Sequence, residues 1–61
     1  MNNRRIEKMT KINVYVVISG VTRIWLTIEV SKDKAQEEGS KYASLAMTDK
    51  RVSDAWWDYA Q

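Results

Sequence analysis

The sequence predicts an α+β fold: a three-stranded antiparallel sheet with one helix on one face, in the order β-β-α-β. Three observations carry the prediction. Residues 11–20 and 23–31 alternate apolar and polar side chains with a period of two. Residues 32–47 place small side chains on one helical stripe, and residues 50–61 carry the strand-favouring aromatics Trp56, Trp57 and Tyr59.

The first two segments form a hairpin. Ile12, Val14, Val16 and Ile18 fall on one side of the first strand, with Asn13, Tyr15, Val17 and Ser19 on the other. Ile24, Leu26, Ile28 and Val30 alternate in the second with Arg23, Trp25, Thr27 and Glu29. Both aliphatic rows must face one core, because a one-residue slip turns a strand over. This parity sets Ile18 opposite Ile24, Val16 opposite Leu26 and Val14 opposite Ile28, with Val17 meeting Trp25 and Asn13 meeting Glu29. A two-residue Gly20-Val21 turn would split the rows. The expectation is therefore a loop of three or five residues around Val21, with a bulge.

Ser31 reads as a helix N-cap, with Asp33 in the first turn, where the helix dipole favours an acid. Ala35, Gly39, Tyr42, Ala43 and Ala46 then share one stripe. A glycine inside a helix costs about 1 kcal/mol, so Gly39 is read as permitting close approach of helix to sheet. Residues 50–61 fit two patterns. As a strand they turn Ala55, Trp57 and Tyr59 inward and Val52, Asp54, Trp56 and Asp58 outward. As a helix, capped by Thr48, they align Val52, Ala55, Trp56 and Tyr59 and give the alternative β-β-α-α. A third strand widens a thin core and is the preferred reading.

Composition bounds the chemistry. The 61 residues contain no Cys, His, Pro or Phe, which excludes a disulfide framework, a Cys/His zinc site and a histidine general base. With only Gly20 and Gly39, no phosphate-cradling loop can be built. Glu37 with Glu38, and Asp54 with Asp58, read as solvated faces. The expectation is a non-catalytic protein with no cofactor and no metal. The longest apolar run, residues 14–18, is far short of the roughly 20 residues of a membrane span, and residues 1–11 lack the apolar core of a secretory signal, so a cytoplasmic protein is expected.

Charge divides the chain. Residues 1–11 carry four basic side chains against Glu7, and residues 12–61 carry six basic against seven acidic ones. Residues 1–10 are read as a flexible basic tail and 11–61 as the single domain, with Met9 an alternative start. A chain this short buries only about 60% of its unfolded surface, and oligomerisation is the staple left to it. A homodimer is expected.

The candidate working surface is the sheet face away from the helix. Tyr15, Val17, Arg23, Trp25, Val52 and Trp56 are predicted to form an apolar patch there, rich in the residue types that dominate binding hot spots. That patch serves either self-association or a foreign protein. A nucleic-acid platform, with Arg23, Lys11 and the Arg4-Arg5 tail on phosphates, is the weaker alternative. Glu29, Asp54 and Asp58 would share the face and repel phosphate.

The hairpin ending IWLTIEVSKDKA, the stripe of Ala35, Ala43 and Ala46, and the segment DKRVSDAWW resemble small bacteriophage accessory proteins in layout. The resemblance extends to anti-defence proteins such as anti-CRISPRs and inhibitors of host polymerase. It implies stoichiometric binding of a host protein, often by a dimer, in the host cytoplasm. It transfers no functional residue. Many such proteins are strongly acidic and this chain is not, so mimicry of DNA charge is not expected.

Overall fold

The structure, a computed structural model, describes residues 8–60. Its elements follow in the order β1 (Met9–Ile18), β2 (Val21–Ser31), a 3-10 turn (Lys32–Lys34), α1 (Ala35–Ala46) and β3 (Val52–Tyr59). Strand β1 lies between β2 and β3 and is antiparallel to both. This is the predicted α+β architecture. Residues 50–61 resolve in favour of the strand, because β3 supplies main-chain partners to the side of β1 that β2 leaves open. The β-β-α-α alternative is thereby excluded.

The central position of β1 explains its burial. Among the described residues, Ile12, Val14 and Val16 are the large side chains wholly withdrawn from solvent, and Ala35, Ala46 and, at 8% exposed, Val52 complete the core. Each such aliphatic contributes on the order of 1.5–3 kcal/mol by burial. The helix lies mainly over β1 and β3 and touches β2 little. Leu26, Ile28 and Val30 of β2 are consequently only half-buried.

The hairpin corrects the predicted register. Ser19 and Gly20 both have positive φ, 53° and 77°, the mark of a two-residue type I′ turn closed by the pair Ile18–Val21. Val16 then lies opposite Arg23, Val17 opposite Thr22 and Tyr15 opposite Ile24. Beyond Tyr15 the register shifts, and Val14 pairs with Leu26, Asn13 with Thr27 and Ile12 with Ile28. Trp25 is the extra residue. The expected bulge exists, but it sits within β2, and the loop is shorter than expected. The expected pairs Ile18–Ile24, Val16–Leu26, Val14–Ile28, Val17–Trp25 and Asn13–Glu29 are all replaced. The bulge lets both ends of β2 keep contact with β1 although their parities differ.

A second irregularity separates Val17–Asp54 from Ile18–Val52, with Ser53 as the extra residue. It turns Val52 inward, where it packs with Val16 and Ala46.

The helical stripe is as predicted. Ala35, Gly39 and Ala46 are buried, and Tyr42 and Ala43 half-buried. At Gly39 a Cβ atom would lie 2.8 Å from Cδ1 of Trp57 and closer still to Cγ and Cδ2. Glycine therefore admits the indole of β3 against the helix backbone. Ser31 differs from expectation. It is the last residue of β2, its side chain makes no capping hydrogen bond, and the 3-10 turn intervenes before α1.

The first strand begins at Met9, two residues before the predicted strand. Met9 and Thr10 are strand residues paired with Ser31 and Val30, and the Lys8 carbonyl accepts a 3.0 Å hydrogen bond from the Lys32 N–H. Residues 1–7, the greater part of the predicted tail, lie outside the described residues. Among the described residues, no helix is long and apolar enough to cross a membrane.

Candidate functional site

The helix covers one face of the sheet, and the strand register determines what the other presents. Opposite the buried Val14 and Val16 stands Tyr15, flanked across the strands by Ile24 of β2 and Trp56 of β3. The Tyr15 and Trp56 rings stack with centroids 5.7 Å apart and planes 20° from parallel. Such a pair stabilises by about 0.5–1.5 kcal/mol beyond its buried area. A second link orients Tyr15: Asn13 Nδ2 donates to its hydroxyl at 3.2 Å, while Thr27 Oγ1 donates to Asn13 Oδ1 at 2.5 Å. The ring is thus held from both sides before anything binds.

Along this face the cross-sheet rows read Thr22–Val17–Asp54, Ile24–Tyr15–Trp56 and Thr27–Asn13–Asp58, with Glu29 and Lys11 beyond. The middle row is an apolar and aromatic ridge. Trp56 is 39% exposed and Ile24 56%, both high for such large side chains. Among the described residues, three carboxylates, Asp54, Asp58 and Glu29, stand on this face against the one ammonium of Lys11. Asp54 and Asp58 each spend one carboxylate oxygen on a neighbouring main-chain N–H, of Ala55 and Tyr59 respectively, which fixes them beside Trp56.

The six predicted surface residues separate. Tyr15, Val17 and Trp56 share the open face. Trp25, also 39% exposed, sits at the bulge without a cross-strand partner. Val52 belongs to the core, 8% exposed, because the irregularity at Ser53 reverses its side. Arg23 lies opposite Val16 and so takes the helix side of the sheet. Both are corrections with one cause: a bulge changes parity between a residue and the row it appears to continue. That cause also brings in Ile24, which reads as core in the sequence. The signal for it was the Ser19-Gly20 dipeptide, whose two-residue turn puts Ile24 level with Tyr15.

Among the described residues the face offers no nucleophile–base pair, and Asp54 and Asp58 stand exposed beside the aromatics. The chain matches no family model, no curated protein and no solved structure.

Proposed function

We propose that the protein is a non-catalytic protein-binding module whose working surface is the open sheet face. The observation that supports this is the braced ridge of Ile24, Tyr15 and Trp56 with Asp54 and Asp58 at its side. An aromatic anchor held in place loses little freedom on binding, so its burial converts efficiently into affinity. The flanking carboxylates select an apolar surface rimmed by Lys or Arg. The layout resemblance to phage anti-defence proteins supports a host protein as the partner, bound stoichiometrically in the host cytoplasm. The module also pairs with a second copy of itself, through another part of the sheet. The excess of acid among the described residues of this face, and the position of Arg23 on the other side, weigh against nucleic acid.

The test places a photo-cross-linking amino acid at Trp56 in host cells, with Ser44 on the exposed helix side as control. One host protein should be captured from position 56 and not from 44. In a purified titration it should bind at a fixed stoichiometry. Trp56→Ala should then weaken binding by at least about 2 kcal/mol, roughly 30-fold, with little dependence on salt. Equal capture from both positions would refute the reading. So would binding of a single-stranded oligonucleotide that weakens steeply with salt.

A further inference from the structure

We propose that a second copy of this chain adds to the free edge of β2, joining two three-stranded sheets into one six-stranded antiparallel sheet. The inference goes beyond the binding face, because such pairing leaves Ile24, Tyr15 and Trp56 uncovered.

The two sheet edges are built differently. The Ala60 N–H donates to the Lys11 carbonyl at 2.9 Å, so odd-numbered residues of β1 bond to β3. By the same alternation, Ala55, Trp57 and Tyr59 direct their N–H groups away from β1. Two of these three are already occupied. Ala55 donates to Asp54 Oδ1 at 2.9 Å, and Tyr59 to Asp58 Oδ1 at 2.8 Å. A strand approaching β3 meets carboxylates where it needs donors, which is how sheet edges are commonly blunted.

Among the described residues, strand β2 lacks this protection. The Lys32 N–H donates to the Lys8 carbonyl, so even-numbered residues of β1 serve β2, and Thr27 and Glu29 direct their main-chain groups outward. Among the described residues, no side chain hydrogen-bonds those groups. The bulge at Trp25 disrupts the half of the edge near the turn. Leu26 to Ser31 remain as a regular, open stretch.

Side chains select the occupant and the register. A two-fold axis at Ile28 sets Ile28 against its own copy and Leu26 against Val30 of the second copy. These are non-hydrogen-bonded pairs, whose side chains approach most closely. All three residues are half-exposed because the helix leaves β2 largely uncovered, and the second copy would cover them. Between them, Thr27 and Glu29 of the second copy exchange main-chain hydrogen bonds. Each Glu29 keeps Lys11 as its cross-strand neighbour within its own chain. An axis at Glu29 would set like charges face to face, and one at Thr27 would draw the bulged Trp25 into the middle of the paired stretch. The axis at Ile28 avoids both.

The experiment uses the whole chain. Sedimentation equilibrium at micromolar concentration should give twice the 7.1 kDa chain mass. Glu29→Pro removes an outward N–H that the protomer does not use, so it should yield a monomer with unchanged circular dichroism. The chain contains no cysteine, so single cysteines report the register without interference. Under mild oxidation Ile28→Cys should cross-link at least ~10-fold faster than Thr27→Cys or Glu29→Cys, because only the pair on the axis meets disulfide geometry. A monomeric parent overturns the proposal, as does a dimer that survives Glu29→Pro. A dimer broken by Trp56→Glu and not by Glu29→Pro also overturns it, placing self-association on the open face instead. If Glu29→Pro unfolds, the cysteine series decides: a maximum at 28 supports the edge, and equal rates at 27, 28 and 29 refute it. Loss of partner capture at position 56 with the dimer intact would remove the binding-face reading and leave this one standing.

Discussion

Adding one methyl group at Gly39 tests how the helix meets the sheet. In an isolated helix Gly39→Ala would stabilise by about 1 kcal/mol, because alanine loses less backbone entropy. Here the new Cβ enters the Trp57 indole, 2.8 Å from Cδ1 and nearer to the ring-fusion side. The clash falls on the body of the ring, so a rotation of its far end does not relieve it. The Tyr59 ring, packed edge-on with its centroid 5.2 Å from that of Trp57, restricts sideways escape. Overpacking of this kind costs about 1–3 kcal/mol, occasionally more. Set against the propensity gain, and with the contact at the severe end, the net loss is about 1–2 kcal/mol. For a domain of this size, that lowers Tm by roughly 5–15 °C. Thermal denaturation of Gly39→Ala, of Trp57→Leu and of the double variant gives the coupling directly. In the Trp57→Leu background the alanine should be neutral or stabilising, since the obstructing ring is gone. A Gly39→Ala protein more stable than the parent would refute the close approach of α1 and β3.

Two further predictions concern the turns. Positive φ at Ser19 is tolerated far better by asparagine than by serine, so Ser19→Asn should raise Tm by a few degrees, while Gly20→Ala, at φ 77°, should destabilise by about 1 kcal/mol. Equal melting of both variants and the parent would argue against the two-residue turn. In the loop after α1, the Arg51 side chain donates to both Asp49 oxygens, at 3.1 and 2.8 Å, and its main-chain N–H donates at 2.9 Å. These bonds, the guanidinium first, lower the Asp49 carboxyl to about 2 from an ordinary 3.8. A lowered carboxyl favours the folded state above the ordinary value, and that contribution is lost as pH falls through about 2. Carbon-13 titration should place Asp49 near that value and show Arg51→Ala raising it towards 3.8. An unchanged midpoint in Arg51→Ala would dismiss the arginine as the cause.

Much of this protein is written locally. The alternation from Ile12 to Ile18 specifies a strand with one apolar side, because a pleated backbone sends successive side chains to opposite faces. The stripe from Ala35 to Ala46 specifies a helix with a narrow face, and Gly39 on it announces a close neighbour. Tyr15 and Trp56 on the face away from the aliphatic rows follow from the same period. The identity of Gly39's neighbour does not, since Trp57 reaches it only through the crossing of α1 over β3.

What the tertiary structure decided is parity. Ile24, Leu26, Ile28 and Val30 alternate without a break in the sequence, yet the bulge at Trp25 puts Ile24 beside Tyr15 and leaves Leu26 with Val14. Periodicity counts residues along one strand, whereas the face a residue takes depends on its pairing with another, and an unpaired residue resets that count. The same reset at Ser53 moves Val52 from the expected surface into the core. Residues 50–61 held both helical and strand patterns, and the choice fell to the unsatisfied edge of β1, which no local signal contains. Sequence therefore determined the kinds of element and the chemical character of each row. Tertiary pairing determined which rows meet, and with them the makeup of the open face and the contrast between its two edges.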